Sequence, residues 1–287
     1  STYNKIFLTG LLAVLGVCLA TQNAYAYQVD TLQSVPSQRD FVVGPGKEEI
    51  TINPGEKKTV FITVTNRMGD DREFNLATED FTGSSDPKTT VVLLGNDHGP
   101  YSLKDYIKPE VTKLDLKQGQ RATIAVTISI PSDAQPGGRY GSILTSTVSK
   151  ASTVATKDVA GGAAIISRIG TLFFVRIPGA VKEEGSVKEF STTNHKSLFT
   201  SGPIPMQILF QNDGSMYLSP YGQIHVKNMF GSEVGSADID PWFSMPNSLR
   251  LREISWDKGF LFGRYVATVD INRGYGDIID HKSVVFW

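Results

Sequence analysis

The sequence predicts an all-β protein with two immunoglobulin-like β-sandwich domains in tandem after an N-terminal signal peptide. A turn followed by an alternating strand recurs along the chain, and apolar and polar residues alternate with a period of two in both halves. No convincing helical period of 3.6 residues appears after residue 26. Short strands separated by turns rich in glycine and proline are typical of sandwiches.

The recurring pattern is clearest in "INPGEKKTVFITVTN", residues 52–66. Pro54-Gly55 suits a tight turn, because proline presets φ and glycine accepts a positive φ. Alternating β-branched residues follow the turn. The stretch "LKQGQRATIAVTISIP" at 116–131 repeats the arrangement, and "PMQILFQNDG" at 205–214 is a third strand of the same type. The pattern predicts half-buried strands and by itself indicates no chemistry.

The first 26 residues have the organisation of a secretory signal peptide. Lys5 precedes the apolar run "IFLTGLLAVLGVCLA", which is short for a membrane span. Ala24-x-Ala26 then supplies a small-x-small cleavage pattern, which predicts a mature chain that begins at Tyr27. The runner-up is a retained N-terminal anchor.

A lipoprotein would use Cys18, but the valine directly before this cysteine is unfavourable for that processing. Cys18 is the only cysteine of the 287-residue chain, so a chain cleaved before Tyr27 has no disulfide. Cysteine-based zinc sites and cysteine nucleophiles are then excluded as well. We expect an exported protein at the cell surface or outside the cell, and in the periplasm if the cell has two membranes.

The strands divide into two groups on either side of Pro178-Gly179, which breaks a strong strand. We predict a first domain at 27–179 and a second at 180–287, with a hairpin tip at 149–165. The strands predicted in the first domain are 40–43, 48–53, 58–66, 73–78, 89–94, 111–117, 121–130, 139–149 and 164–177. Those predicted in the second are 186–192, 204–211, 221–228, 233–239, 248–256, 263–271 and 282–287.

Composition limits the function classes. The chain is 40% hydrophobic and 20% charged with a formal net charge of −1, which is ordinary for a globular protein and gives no basic field for nucleic acid. No cofactor, metal site or catalytic residue is predicted, because hydrolase, phosphate-binding and zinc motifs are lacking. No two of the four histidines are at metal-ligand spacing. These histidines are His98, His195, His225 and His281. Asp270, Asn272 and Asp277 fit a glycine-rich turn better than a calcium loop.

Aromatic residues are the most specific candidates for binding. Trp242 and Phe243 lie between two prolines in "DPWFSMPNSLR", and Tyr140 lies in "GGRYGSI". Exposed on loops, such rings would anchor a partner. The favoured alternative for Trp242 and Phe243 is that they fill one end of the second core, and Tyr140 has the same ambiguity.

Three stretches resemble the WxL-interacting proteins, a family of two-domain cell-surface β-sandwich proteins. They are "FVVGPGKEEITINPGEKKTVFITVTN" at 41–66, "IPSDAQPGGRYGSILTSTV" at 130–148 and "SRIGTLFFVRIPG" at 167–179. In the second half, "IPMQILFQNDGS" and "GRYVATVDINRGYG" match the family more loosely. The resemblance covers most of the predicted mature chain in order.

The resemblance implies a non-enzymatic surface protein that acts in adhesion or as a scaffold. Its first domain would bind the cell wall, that is peptidoglycan, and its second domain another surface protein or a host component. The family usually continues into a transmembrane helix, so membrane association is expected only through a segment outside this sequence. We prefer this interpretation of the function, which specifies neither a binding surface nor an oligomeric state.

Two alternatives come from other classes. A periplasmic pilus-type chaperone would bind its partner by β-strand addition. It needs a long exposed edge strand, for which "GSILTSTVSK" at 141–150 is the candidate, and basic residues in the interdomain cleft, none of which clearly pairs with that strand. A carbohydrate-active accessory domain would need two carboxylates roughly 5–9 Å apart in a cleft.

Overall fold

A computed structural model describes residues 27–148 and 166–287 of the chain. Strands dominate these residues, and the helical content is one 3-10 turn at Thr193–His195. The predicted all-β fold is therefore confirmed. The predicted signal peptide with its cleavage residues Ala24 and Ala26, the alternative at Cys18, and the hairpin tip at 149–165 lie outside the described residues.

Eleven strands of the described residues between 28 and 177 form the first sandwich. They are β1 (Gln28–Thr31), β2 (Asp40–Gly44), β3 (Lys47–Thr51), β4 (Lys57–Arg67), β5 (Arg72–Thr82), β6 (Val92–Leu93), β7 (Ile107–Pro109), β8 (Lys113–Leu116), β9 (Gln120–Ser129), β10 (Gly137–Val148) and β11 (Ile166–Ile177). One sheet has the order β1-β9-β4-β2 with β7 also on β9, and the other has β3-β11-β10-β5-β6 with β8 also on β5.

The two copies of the recurring pattern pair directly with each other. β4 and β9 are antiparallel neighbours, with Ile62 opposite Ile124. Both side chains are fully buried and pack in one core with Phe74 and Phe173 of the facing sheet. The alternation read from the sequence therefore marks the inner face of one sheet, where cross-strand pairs of β-branched residues stabilise the pairing.

Seven strands form the second sandwich. They are β12 (Gly185–Thr192), β13 (Ile204–Asn212), β14 (Tyr221–Lys227), β15 (Glu233–Ile239), β16 (Ser248–Trp256), β17 (Tyr265–Asn272) and β18 (Ile279–Phe286). The sheets have the orders β12-β13-β16 and β15-β14-β17-β18. Their inner faces share a core that includes Phe210, Val226, Val269 and Phe286.

A buried asparagine fixes the turn after one long strand in each sandwich. In the first, Asn66 Nδ2 donates to the carbonyl oxygens of Asp70 (2.9 Å) and Leu116 (2.8 Å), and Oδ1 accepts from the Met68 N–H (2.9 Å). The amide is fully buried. Because its donors and its acceptor all have partners, burial of this polar group is not penalised.

Asn212 has the same arrangement in the second sandwich. Its Nδ2 donates to the carbonyl oxygens of Met216 (2.8 Å) and Ser244 (2.9 Å), and its Oδ1 accepts from the Gly214 N–H (2.9 Å). In both cases the acceptor contact is two residues ahead and one donor contact is four residues ahead. We call each set of three hydrogen bonds a clamp. The repeated sequence pattern thus corresponds to a repeated strand and to a repeated clamp.

The chain changes sheets between β2 and β3, and this crossing determines the shape of one sheet edge. β2 pairs with β4 in one sheet, whereas β3, three residues later, pairs in parallel with β11 in the other. β3 is only five residues long, against twelve for β11. It therefore covers part of β11 and leaves the rest as an edge.

Candidate functional site

Two of the predicted binding residues are buried. Tyr140 has no exposed surface and Trp242 is 6% exposed. Neither side chain therefore exposes the ring that a binding anchor needs. The expectation that these two rings are exposed on loops is corrected. Trp242 packs in the second core, as the favoured alternative expected. Phe243 is half-buried.

Tyr140 and Phe243 lie in an aromatic cluster between the two sandwiches. Phe174 is at its centre, with ring centroids 5.7 Å from Tyr140, 5.0 Å from Tyr217 and 5.2 Å from Phe243. Tyr140 and Phe174 belong to the first sandwich, and Tyr217 and Phe243 to the second. Edge-on aromatic pairs of this kind add to the hydrophobic gain from burial. We call this cluster the domain junction.

The Tyr140 hydroxyl connects the two sandwiches. It accepts a hydrogen bond from the Tyr217 N–H at 2.8 Å and donates to Met216 Sδ at 3.9 Å. Gly138 makes room for it, since a Cβ there would lie 1.9 Å from the hydroxyl oxygen. Burial raises the pKa of Tyr140 and of Tyr217, and the charge of Glu49 raises the pKa of Tyr217 further.

Cations next to β11 at the junction are matched with carboxylates. Lys47 Nζ is 2.5 Å from Glu49 Oε1 and lies over the rings of Phe174 (5.7 Å) and Phe243 (5.6 Å). Arg176 is 3.4 Å from Glu183. These contacts stabilise the junction and leave little uncompensated positive charge beside β11.

A second set of basic residues lies on the β5 side of the junction. Arg250 and Arg252 of β16, together with Lys88, line a cavity of about 410 Å³. Burial lowers the pKa of Arg250, and the charge of Arg252 adds to this effect. The loop before β6 joins the sandwiches here, because the Leu251 N–H donates to the Pro87 carbonyl oxygen at 2.8 Å. The cavity between the two sandwiches therefore does contain basic residues, which the sequence did not reveal.

Among the residues that the structure describes, the N-terminal part of β11 is a free strand edge. β10 pairs with all of β11, from Val148 opposite Ile166 to Gly137 opposite Ile177. On its other side, β3 reaches only Leu172 to Arg176. The last described backbone contact toward the free end is the Leu172 N–H to the Gly46 carbonyl oxygen at 3.0 Å. Within the described residues, no strand pairs with the outer side of 166–170.

The direction of the free backbone groups follows from the pleat. The Leu172 N–H points toward β3, and residues two apart on a strand direct their N–H and C=O to the same side. Ile166, Arg168 and Gly170 therefore present their N–H and C=O groups to the free edge. Such a row of unpaired groups is a template for an added strand.

The side chains of residues 166–169 along this edge are exposed. Ile166 is 60% and Ile169 37% exposed, whereas Thr171 is buried and hydrogen-bonds to the Pro45 carbonyl oxygen at 2.7 Å. Arg168 forms an ion pair with Glu79 of β5, across β10. Ile169 lies on the same strand face as the core residue Phe173. The edge thus continues the core face of the sandwich beyond the point where β3 covers it.

The edge strand chosen from the sequence was wrong. Within "GSILTSTVSK", Gly141–Ser146 of β10 pairs with β5 on one side and with β11 on the other. β10 is therefore internal and cannot accept another strand along these residues. Its antiparallel neighbour β11 is at the edge along 166–170 within the described residues, because β3 pairs only with Leu172 to Arg176.

Neither a metal site nor a membrane-spanning helix is found within residues 27–148 and 166–287. No group of three or more histidine, cysteine, aspartate or glutamate side chains there could hold a metal ion. No helix there has the length and hydropathy that crossing a membrane requires. Asp270 contacts His281 at 2.5 Å, and Asn272 Oδ1 accepts the Gly274 N–H at 2.8 Å, as in an ordinary turn.

No protein-family model and no curated protein matches this chain, so the resemblance to the WxL-interacting proteins stays a prediction. Among solved structures, the class 5 fimbriae chaperone CfaA is similar, with 11% identity and a TM-score of 0.40 over 86% of this chain and 99% of that one. The YadV chaperone is 11% identical with a TM-score of 0.39 over 85% and 100% of the two chains. The CupB2 chaperone of Pseudomonas aeruginosa is 9% identical with a TM-score of 0.37 over 86% and 100%.

These similarities require a correction. The sequence led to a surface protein that binds cell wall as an adhesion or scaffold component, but the three solved structures named above are chaperones, one of them a fimbriae chaperone. We therefore do not propose that this protein binds the cell wall or peptidoglycan.

Proposed function

We propose that this protein is an exported, non-enzymatic chaperone of the pilus type that binds a surface-protein subunit by β-strand addition to β11. The free edge at 166–170 carries the proposal. It combines outward-facing backbone groups at Ile166, Arg168 and Gly170 with an exposed apolar side chain at Ile169. Strand addition uses main-chain hydrogen bonds for affinity and alternate side chains for specificity.

The edge suits an extended partner segment of about five residues. Each backbone hydrogen bond would contribute on the order of 1 kcal/mol. Alternate side chains of the added strand would lie on the same face as Ile169, whose side chain is 37% exposed. The preferred partner is thus an exported surface protein that presents an apolar, alternating strand or lacks one of its own. The protein acts after export, in the periplasm if the cell has two membranes, and needs no cofactor or nucleic acid.

A proline at residue 168 tests the proposal. Arg168→Pro removes an N–H that faces the free edge, and a proline is tolerated at an edge in that orientation because β10 uses the other side of the strand. Arg168→Ala is the matched control, since it also loses the ion pair with Glu79 but keeps the N–H. The chain from Tyr27, with an affinity tag, would be used to isolate complexes from an envelope extract of its own cells.

We expect the unsubstituted chain and Arg168→Ala to retain the same surface protein, and Arg168→Pro to retain at least about tenfold less of it. Hydrogen exchange in the isolated complex should slow at the amides of Ile166, Arg168 and Gly170. Equal retention by the proline and alanine variants, or unchanged exchange at these amides in a stable complex, would show that the partner does not bind as an added strand.

A further inference from the structure

The end of the second sandwich that is remote from the domain junction exposes an unusual amount of apolar surface. Of the large apolar side chains in the described residues, the four most exposed are all here: Phe230 (80%), Phe262 (74%), Phe260 (73%) and Leu198 (69%). Met229 and Trp287 are each 50% exposed. We call these six residues the apolar tip. A contiguous apolar surface of this kind marks an interaction site.

Backbone hydrogen bonds hold the segments of the apolar tip together. The Phe199 N–H donates to the Trp287 carbonyl oxygen at 2.7 Å, which joins the loop after β12 to the end of β18. The Leu261 N–H donates to the Thr200 carbonyl oxygen at 3.3 Å, which joins the loop after β16 to the same group. Leu261 itself is buried, so it fastens its exposed phenylalanine neighbours to the second core.

The hairpin between β14 and β15 completes the tip. Asn228 Oδ1 accepts the N–H groups of Phe230 (3.0 Å) and Ser232 (3.1 Å), which fixes the turn. Met229 lies against the loop after β16, because a Cβ on Gly263 would be 2.6 Å from the Met229 sulfur. Phe230 is therefore held outward by an ordered turn.

Basic residues surround the apolar tip. The segments 196–200, 227–233 and 257–264 together contain four basic and two acidic residues, a net charge of +2, whereas the whole chain has a formal net charge of −1. The basic residues are Lys196, Lys227, Lys258 and Arg264, and the acidic ones are Glu233 and Asp257. Cations flank the exposed apolar residues in both segments. Lys227 precedes Met229 and Phe230 in "KNMFG". Lys258 and Arg264 flank Phe260 and Phe262 in "KGFLFGR".

We propose that the apolar tip inserts into the interface of a lipid bilayer with anionic headgroups. Phenylalanine and tryptophan side chains are stabilised in the region between headgroups and acyl chains, and lysine and arginine next to them bind anionic lipids. The net positive charge of the tip segments favours a bilayer with anionic headgroups over an uncharged lipid surface. Tyr217 precedes β14 at the junction and Met229 follows it at the tip, so the bilayer would meet the end of the second sandwich that is away from the junction. The inference does not depend on strand addition.

Sedimentation with lipid vesicles tests this inference. The chain would begin at Tyr27, so that the apolar leader does not contribute, since every described strand follows that residue. The probes are vesicles of phosphatidylglycerol and, separately, of phosphatidylcholine. The tip variant is Phe230→Ser with Phe262→Ser, and the matched control is Phe61→Ser, a ring 59% exposed on the first sandwich.

We expect binding to phosphatidylglycerol vesicles that is weaker on phosphatidylcholine and weaker at high salt. The tip variant should lose at least about tenfold in vesicle affinity, and the Phe61 control should be unchanged. Trp287 offers a second readout, because Trp242 and Trp256 are only 6% and 8% exposed. Tryptophan emission should shift to shorter wavelength with vesicles, and Trp287→Phe should remove the shift.

Three results would overturn the inference. One is no sedimentation with phosphatidylglycerol, and another is an equal loss of binding in the Phe61 control. The third is self-association without lipid that the tip variant abolishes, which would assign the tip to a second copy of the chain. All three concern residues remote from 166–170, so they leave the strand-addition proposal standing.

Discussion

At the scale of single residues, the Tyr140 hydroxyl joins the two sandwiches. Its ring is fully buried among aromatic side chains of both, and its oxygen is the acceptor for the Tyr217 N–H at 2.8 Å. Removing the oxygen leaves that N–H without this partner while the ring packing is kept. The contribution of one hydrogen bond across the junction can therefore be measured separately from the contribution of the ring.

Tyr140→Phe should lower the free energy of unfolding by about 1–3 kcal/mol, the range for a buried donor left unpaired. It should also change the dependence on pH. Because burial raises the pKa of Tyr140 in the folded chain, this group favours folding fully below its ordinary pKa of about 10, and that stability is lost as pH rises toward the folded-state value. Urea unfolding between about pH 9 and 11 should show a shallower loss for Tyr140→Phe.

Tyr106→Phe is the matched control, because Tyr106 is 37% exposed. It should change stability by less than about 0.5 kcal/mol. If Tyr140→Phe were as stable as the unsubstituted chain and lost stability equally at alkaline pH, the hydroxyl would not have the role assigned to it.

At the scale of elements, each sandwich depends on a clamp at the end of one strand. Asn66 is the second-last residue of β4 and Asn212 is the last residue of β13, and each makes three hydrogen bonds to main-chain groups. One of those contacts in each clamp is to a carbonyl far along the sequence. The clamp therefore fixes both the turn that leaves the strand and the neighbouring segment.

Asn66→Ala and Asn212→Ala should each lower the free energy of unfolding by about 2–4 kcal/mol, since two carbonyls and one N–H lose their partner in a buried position. Asn96→Ala, at an exposed loop position, is the control and should be nearly neutral. Chemical unfolding of the three variants makes the comparison. Nearly neutral results at Asn66 and Asn212 would mean that water or other groups replace the clamp.

At the scale of the whole molecule, the sandwiches are joined by a short segment and by the junction. The first ends its strands at Ile177 and the second begins at Gly185, and Lys182 between them is exposed. The boundary predicted at residues 179 and 180 stays a prediction. The junction places Phe174 against Tyr217 and Phe243, so the two parts have apolar contact in addition to the covalent link.

Brief trypsin treatment should cut after Lys182, and the two products should still elute together on gel filtration because the junction holds them. In Phe174→Ala the cut should be faster and the products should separate, since the central ring of the junction is lost. Phe61→Ser serves as the control for a lost aromatic ring elsewhere. Resistance of Lys182 to cleavage in both chains, or separation without the substitution, would contradict this account of the junction.

Much of the fold was predictable because strand periodicity is local. The inward positions of β4 and β9, including Ile62 and Ile124, agree with the alternation in the sequence. β1 was missed because all four of its residues are exposed, so no apolar alternation marks it. β7 has three residues and was missed because it is too short to show a period.

The site was less predictable, because it depends on which strand lies at an edge. β10 and β11 have similar local patterns, and the sequence favoured the former as the edge. Burial of Tyr140 was equally hidden, since it requires the second sandwich to cover that ring. Arg250 and Arg252 are distant in sequence from Lys88, and the junction alone brings them around one cavity.

The sequence by itself determined that this chain forms strands, roughly where most of them begin and end, and which face turns inward in the strands that alternate. These properties follow from side-chain alternation and turn residues within about ten positions of each other. Tertiary structure alone decided that Tyr140 joins the sandwiches and that no strand of the described residues pairs with the outer side of Ile166, Arg168 and Gly170. That outcome depends on the chain crossing between sheets after Gly44, so that β3 begins only opposite Leu172, and no local pattern records how far one strand covers another.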